Sequence, residues 1–107
     1  LQLMMLIGVA PRAKWIGCRN MDSGRGSTSS FIECLQFFLA PTDLNGENPE
    51  PSLRPHVISN SYGCPTDVCH DLELLHDAVK NILHAGIFMS VATGNTGPDC
   101  STIDTPP

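Results

Sequence analysis

Leu72, Leu75, Val79, Ile82 and Leu83 fall at i, i+3, i+7, i+10 and i+11, one apolar stripe of a 3.6-residue period. The stripe predicts a helix from about Val68 to Ala85, with Gly86 as its C-terminal stop. Two short apolar runs flank it. His56-Val57-Ile58-Ser59-Asn60-Ser61 precedes it and is stopped by Gly63 and Pro65. Ile87-Phe88-Met89-Ser90-Val91-Ala92-Thr93 follows it and is broken by Gly94-Asn95-Thr96-Gly97-Pro98. A strand, a helix and a strand in that order favour a parallel pair joined by a helical crossover.

The upstream half repeats the alternation. Gly8-Val9-Ala10-Pro11 is a turn-like entry, and Lys14-Trp15-Ile16-Gly17-Cys18-Arg19 reads as a short, mostly buried strand. Asn20 to Ser30 is rich in Asp, Gly and Ser, the chemistry of a loop. Phe31, Cys34, Leu35, Phe38 and Leu39 then recur at helical spacing, and Ser30 with Glu33 fits a capping box. A helix is expected from about Thr28 to Leu39, stopped by Pro41. Residues 40–56, with four prolines, Asn45-Gly46 and three acids, read as a Pro-rich surface loop between core elements. The whole is a βαβαβ pattern. Strands written as continuous apolar runs are expected to be buried on both faces, in an α/β arrangement with a mainly parallel sheet and helices on both faces. The crevice of such a sheet opens outside the carboxyl ends of its strands. Here that selects Asn20–Gly26, Ser61–Pro65 and Gly94–Pro98.

The chain's 107 residues suit one domain or part of one, and 41% apolar with 16% charged residues excludes a disordered chain. Eleven acids against six bases, a net charge of −5, argue against nucleic acid and against attraction to anionic lipid. No apolar run reaches the ~20 residues that span a bilayer. Leu1–Ala10 carries neither a positive n-region nor an initiator Met, so it reads as the interior of a longer chain, and Thr105-Pro106-Pro107 closes no element. Five cysteines suggest an oxidising, extracellular or secretory compartment. A local Cys64–Cys69 disulfide is expected, Cys18 with Cys34 is a second pair, and Cys100 then needs a partner elsewhere or stays free.

Gly24-Arg25-Gly26-Ser27-Thr28-Ser29 nearly spells a dinucleotide fingerprint, but Ser29 replaces the third glycine, and the next strand ends on Ser59-Asn60-Ser61 without an acid. Three readings stay open for it: a phosphate cradle, a plain flexible turn, or exposed backbone for pairing with an extended peptide. His56, His70, His76 and His84 do not converge, and Cys64-x4-Cys69-His70 is not a zinc spacing. No Gly-x-Ser-x-Gly is present, no carboxylate pair is set for acid–base work, and no His is placed to activate Cys64.

Gly8-Val9-Ala10-Pro11, Ala13-Lys14, His56 to Gly63, Ala85-Gly86-Ile87-Phe88 and Ala92-Thr93-Gly94-Asn95-Thr96-Gly97-Pro98 occur in that order. The ordered set resembles the subtilisin-like serine proteases. The resemblance implies a three-layer α/β fold of which residues 1–107 form the central part of one catalytic domain. It implies that Asn95 is the oxyanion donor. It also implies that Gly24-Arg25-Gly26 and Ser61-Tyr62-Gly63 sandwich an extended polypeptide substrate by β-augmentation. Ala92-Thr93-Gly94 matches the floor of the pocket for the side chain before the scissile bond, with Tyr62 in its wall. A propeptide is a further candidate partner. No cofactor is expected in this chain, although a structural calcium is compatible with the family.

The family's catalytic Asp and His segments lie before the Gly-Val-Ala-Pro turn and its Gly-Thr-Ser segment well after the oxyanion Asn, and neither is present. The isolated chain is therefore expected to be inactive while the parent protein is a serine endopeptidase. Two other readings stand beside it. One is a peptide-binding domain without a working triad, marked by flanks lacking the Asp, His or Ser. The other is a nucleotide-binding α/β domain, which cofactor titration would reveal.

Overall fold

The computed structural model describes residues 8–63 and 71–103. Its elements are β1 (Met21–Asp22), β2 (Arg25–Gly26), α1 (Thr28–Leu39), a single 3-10 turn at Pro51–Leu53, β3 (Val57–Asn60), α2 (Leu72–His84) and β4 (Phe88–Val91).

The β3–α2–β4 unit forms as its apolar pattern dictates. β3 and β4 pair in parallel, Val57 opposite Phe88 and Asn60 opposite Val91. The ladder extends at both ends, where the Phe88 amide donates to the His56 carbonyl (2.9 Å) and the Ala92 amide to the Asn60 carbonyl (3.0 Å). α2 starts after Asp71, whose carboxylate accepts from the Leu74 amide at 3.0 Å and so satisfies an otherwise unpaired N–H of the first turn. The expected start at Val68 is therefore corrected to Leu72: Asp71 is a non-helical cap, and 68–70 lie outside the described residues. At the other end Gly86 takes φ +79°, while its amide donates to Leu83 and that of Ile87 to Ile82. That is a Schellman closure, which needs a left-handed residue and brings Ile87 back over the last turn. Ile82 and Ile87 are both buried in the core, together with Phe31, Leu35, Ile58 and Leu75.

α1 spans the expected residues, but its cap lies three residues earlier than Ser30–Glu33. Ser27 is the N-cap; its hydroxyl accepts from the Ser30 amide (3.2 Å), and the Ser30 hydroxyl accepts from the Ser27 amide (2.9 Å). Helix periodicity locates the apolar face well and the end only within a few residues, so a serine-rich entry offered two registers. α1 packs on α2, and α2 on β4.

The strand expected at Lys14–Arg19 is not formed, and the segment is not buried. Trp15 is 88% and Ile16 45% exposed. A strand is stable only when its N–H and C=O groups find a ladder, and the edge of β3 away from β4 has none at this segment. An open groove of about 850 Å³ runs between the two. The described residues thus hold two two-stranded sheets, one antiparallel (β1–β2) and one parallel (β3–β4). This is a mixed α/β arrangement, and these residues do not form a three-layer sheet with helices on both faces. Burial of β4 on both faces is also corrected: Phe88 is 65% exposed, and only Met89 turns partly inward.

The Pro-rich stretch is exposed from Asp43 to Arg54 but has order of its own. The Asp43 carboxylate accepts from the Asn45 and Glu47 amides and the Asn48 side chain, at 2.9 to 3.0 Å. Glu50 caps the 3-10 turn by accepting from the Ser52 amide at 3.1 Å.

Candidate functional site

Three loops meet at one edge of the molecule. Because β3 and β4 run parallel and in register, the segments leaving them, Ser61-Tyr62-Gly63 and Ala92-Thr93-Gly94-Asn95, emerge side by side. Asn60 is buried at this point and its side-chain amide approaches the Ser90 carbonyl at 3.5 Å, across the strand pair.

The third loop is a β-hairpin that the sequence reading treated as plain loop. Met21 pairs with Gly26 and Asp22 with Arg25. The two turn residues, Ser23 (φ +51°) and Gly24 (φ +77°), both have positive φ, the signature of the tight turn whose twist matches a hairpin. Asp22-Ser23-Gly24-Arg25 was the available signal, weaker than Asp-Gly because serine seldom adopts that conformation. An i,i+3 ion pair between Arg19 and Asp22 at 2.8 Å runs along the incoming strand of the hairpin; both groups are well exposed, so it contributes little.

Phe31 ties the hairpin to the Tyr62 loop. It is the fourth residue of α1 and 2% exposed. Its ring lies so close beneath Gly26 that a Cβ there would sit 2.6 Å from Cε1 and 2.7 Å from Cζ. The same ring stacks on Tyr62, with centroids 4.8 Å apart and planes 19° from parallel. Gly26 is glycine because an aromatic ring occupies the space of its side chain. The glycine pair is therefore a hairpin turn plus a packing contact, and the structure gives no support to the phosphate-cradle reading. Burial pushes the Tyr62 hydroxyl pKa up, and the neighbouring Asn20 side chain opposes that shift. Sequence reasoning missed Phe31 as a joint. The one available hint was a glycine inside a strand, which often marks close approach of another group.

Gly24 and Arg25 are exposed at the hairpin tip, and Gly26 is half-buried. Ser61 is exposed, Tyr62 and Gly63 half-buried. Ala92 and Thr93 are exposed, while Gly94 is half-buried at φ +95°. Asn95 stands exposed in a bend, and the side-chain hydrogen bonds of its loop among the described residues are those of Thr96 and Thr102. The loop beyond it is braced by two threonines: Thr96 Oγ1 donates to the Thr102 carbonyl and Thr102 Oγ1 to the Asp99 carbonyl, both at 2.8 Å.

Among the described residues, His56 precedes β3 and His76 and His84 stand eight positions apart on α2, all three exposed, and no cluster of three His, Cys, Asp or Glu side chains is arranged for a metal. No helix among them is long and apolar enough to cross a membrane. Among the described residues Cys18 and Cys34 form a disulfide and Cys100 is an exposed free thiol, and the expected Cys64–Cys69 pair lies outside them.

The chain is 37% identical over 90 residues to Bacillopeptidase F of Bacillus subtilis, covering 84% of this chain and 6% of that protein. It is 33% identical over 103 residues to Serine protease AprX of the same organism, covering 92% of this chain and 22% of that protein. No family model matches the chain, and no solved structure matches it. The chain thus spans less than a quarter of the length of either relative.

Proposed function

This chain belongs to the subtilisin-like serine proteases, and from that premise we propose that it supplies the peptide cleft and the oxyanion donor of a serine endopeptidase. The observation that carries the reading is the meeting of three loops. The parallel register of β3 and β4 sets Ser61-Tyr62-Gly63 beside Ala92-Thr93-Gly94-Asn95, and the Gly26–Phe31–Tyr62 stack brings the hairpin to the same edge.

An extended peptide lies between the backbone of Gly24-Arg25-Gly26 and that of Ser61-Tyr62-Gly63, adding a strand to each. Ala92-Thr93-Gly94 forms the floor beneath the side chain that precedes the scissile bond, and Tyr62 stands in the wall. The nucleophile, its base and the supporting acid come from elsewhere in the intact protein. When the serine hydroxyl adds to the scissile carbonyl, its proton passes to the base and negative charge gathers on the carbonyl oxygen. The exposed Asn95 amide, which makes no hydrogen bond among the described residues, donates to that oxygen. The charge exists only near the transition state, so the donor lowers the barrier without tightening substrate binding. The 107 residues alone do not hydrolyse peptides, since an oxyanion donor without a nucleophile has nothing to stabilise. The Cys18–Cys34 disulfide supports an extracellular or secretory location.

The test is Asn95→Ala in the intact protein. kcat is expected to fall by ~10²–10³, the range established for the oxyanion Asn of subtilisin, with KM nearly unchanged. Near-normal kcat in a folded variant removes Asn95 from the mechanism.

A further inference from the structure

Cys18 and Cys34 are separated by 16 positions and their Cα atoms by 5.6 Å. The loop that their bond closes contains the whole β1–β2 hairpin, the N-cap of α1 and Phe31. The two ends of the bond sit in different surroundings. Cys34 is buried on α1, on the same face as Phe31 and Leu35, and belongs to a hydrogen-bonded helix. Cys18 ends a stretch with no regular structure. Among the described residues, the backbone of 8–20 makes one backbone–backbone hydrogen bond, from the Ala13 amide to the Ala10 carbonyl, and that bond is internal to the stretch. Two tethers hold the end of this stretch to α1: the disulfide itself, and the Ser30 hydroxyl donating to the Asn20 carbonyl at 2.8 Å. β1 begins at the next residue.

We propose that Cys18 and Cys34 are positioning residues for the peptide cleft: their bond holds the incoming strand of the hairpin at the spacing from Ser61-Tyr62-Gly63 that an extended peptide requires. This rests on the peptide-cleft reading above. With the bond open, residues 8–20 lose their covalent anchor, and β1 keeps only its two-residue ladder, the Ser30–Asn20 hydrogen bond and the Gly26–Phe31 contact. A peptide then has to order the hairpin as it binds, which weakens binding. The chemical step is untouched, because Asn95 follows β4 and hangs on the β3–β4 ladder.

The experiment uses the intact protein in three forms: oxidised, reduced by a dithiol, and Cys18→Ser with Cys34→Ser. In the reduction the two sulfurs take up two electrons and two protons, and the reagent closes to its cyclic disulfide. The double variant isolates this bond from any other that the reagent opens. Two substrates are compared, an extended casein-derived peptide and a single-residue ester. Opening the bond is expected to raise KM for the extended peptide about tenfold, with kcat within about twofold and the ester unaffected. Reoxidation restores the reduced form. An unchanged KM for the extended peptide overturns the proposal. So does an equal loss on both substrates, or a collapse of the far-ultraviolet circular dichroism on reduction, since either makes the bond a general staple. The oxidised Asn95→Ala variant reports separately on the peptidase reading. Should the protein show no turnover, anisotropy of the same peptide, fluorescein-labelled, gives the same comparison: a tenfold weaker Kd on opening supports the proposal, and an equal Kd overturns it.

Discussion

The β3–α2–β4 unit and the stretch from Gly8 to Gly26 have similar β-prone sequence and opposite fates. In the first, every strand residue has a ladder partner, the helix is capped at both ends by its own sequence, and Ile58, Leu75, Ile82 and Ile87 are buried. In the second, Trp15 and Ile16 are as apolar as anything in β3, yet they are exposed and unpaired. Apolar side chains make a strand available, and a partner edge makes it real. Where the crossover brings that edge within the same unit, the sequence suffices; where it does not, a disulfide takes over the tethering.

The largest expected effect tests that contrast directly. Ile82→Ala removes a fully buried side chain from the core and is expected to cost about 2–5 kcal/mol in denaturant unfolding of the intact protein. Trp15→Ala, at a far larger but exposed side chain, is expected to stay within about 0.5 kcal/mol. Equal costs would break the comparison and put Trp15 in a core.

Gly26→Ala comes next. The new Cβ meets the Phe31 ring at 2.6 Å and the Asn20 carbonyl at 2.9 Å, so hairpin or ring must shift. About 1–3 kcal/mol is expected, with amide exchange rising in 21–26 and Phe31 while β3–β4 stays protected. Uniform loss of protection would mean the two regions are one cooperative unit.

Gly86→Ala is smaller. No atom lies within 4 Å of the added Cβ, so the cost is the left-handed backbone alone, about 1–2 kcal/mol. A neutral result in thermal unfolding would show that the α2–β4 turn can re-close in another conformation.

The smallest effect is on pH. Hydrogen bonds from the Asn48 side chain and then from the Glu47 and Asn45 amides hold the Asp43 carboxyl below its ordinary value. A lowered folded-state value means stability present above the ordinary carboxylate range and lost as pH falls through the depressed one. The protection factors of the Asn45 and Glu47 amides are expected to fall below about pH 4, while those of the β3–β4 amides hold. Loss of protection in both places at the same pH would tie the loop to the core.

Much of the fold was legible because its signals are local. The stripe from Leu72 to Leu83, the stop at Gly86 and the pair of apolar runs each act within one element, and all appear in the structure. The cap of α1 was misread because three serines at Ser27, Ser29 and Ser30 offer competing registers, and only the Asn20 carbonyl, which accepts from Ser30, chooses between them. Of the candidate site, the loops were legible from topology. The Phe31 joint was not, since it depends on Gly26 and Tyr62 reaching one ring from positions far apart in sequence.

By itself, then, the sequence determined what lies within one element or one crossover: the two helices, the parallel strand pair, and through the ordered motifs the protease family. Tertiary structure decided whatever needs a partner from afar. It left residues 14–19 without a ladder, turned Gly24 and Gly26 into a hairpin seated on an aromatic ring, and left Asn95 exposed in a bend beyond β4. The reason is that periodicity encodes which face of an element is apolar, whereas backbone hydrogen bonds and ring stacking depend on which other element arrives there.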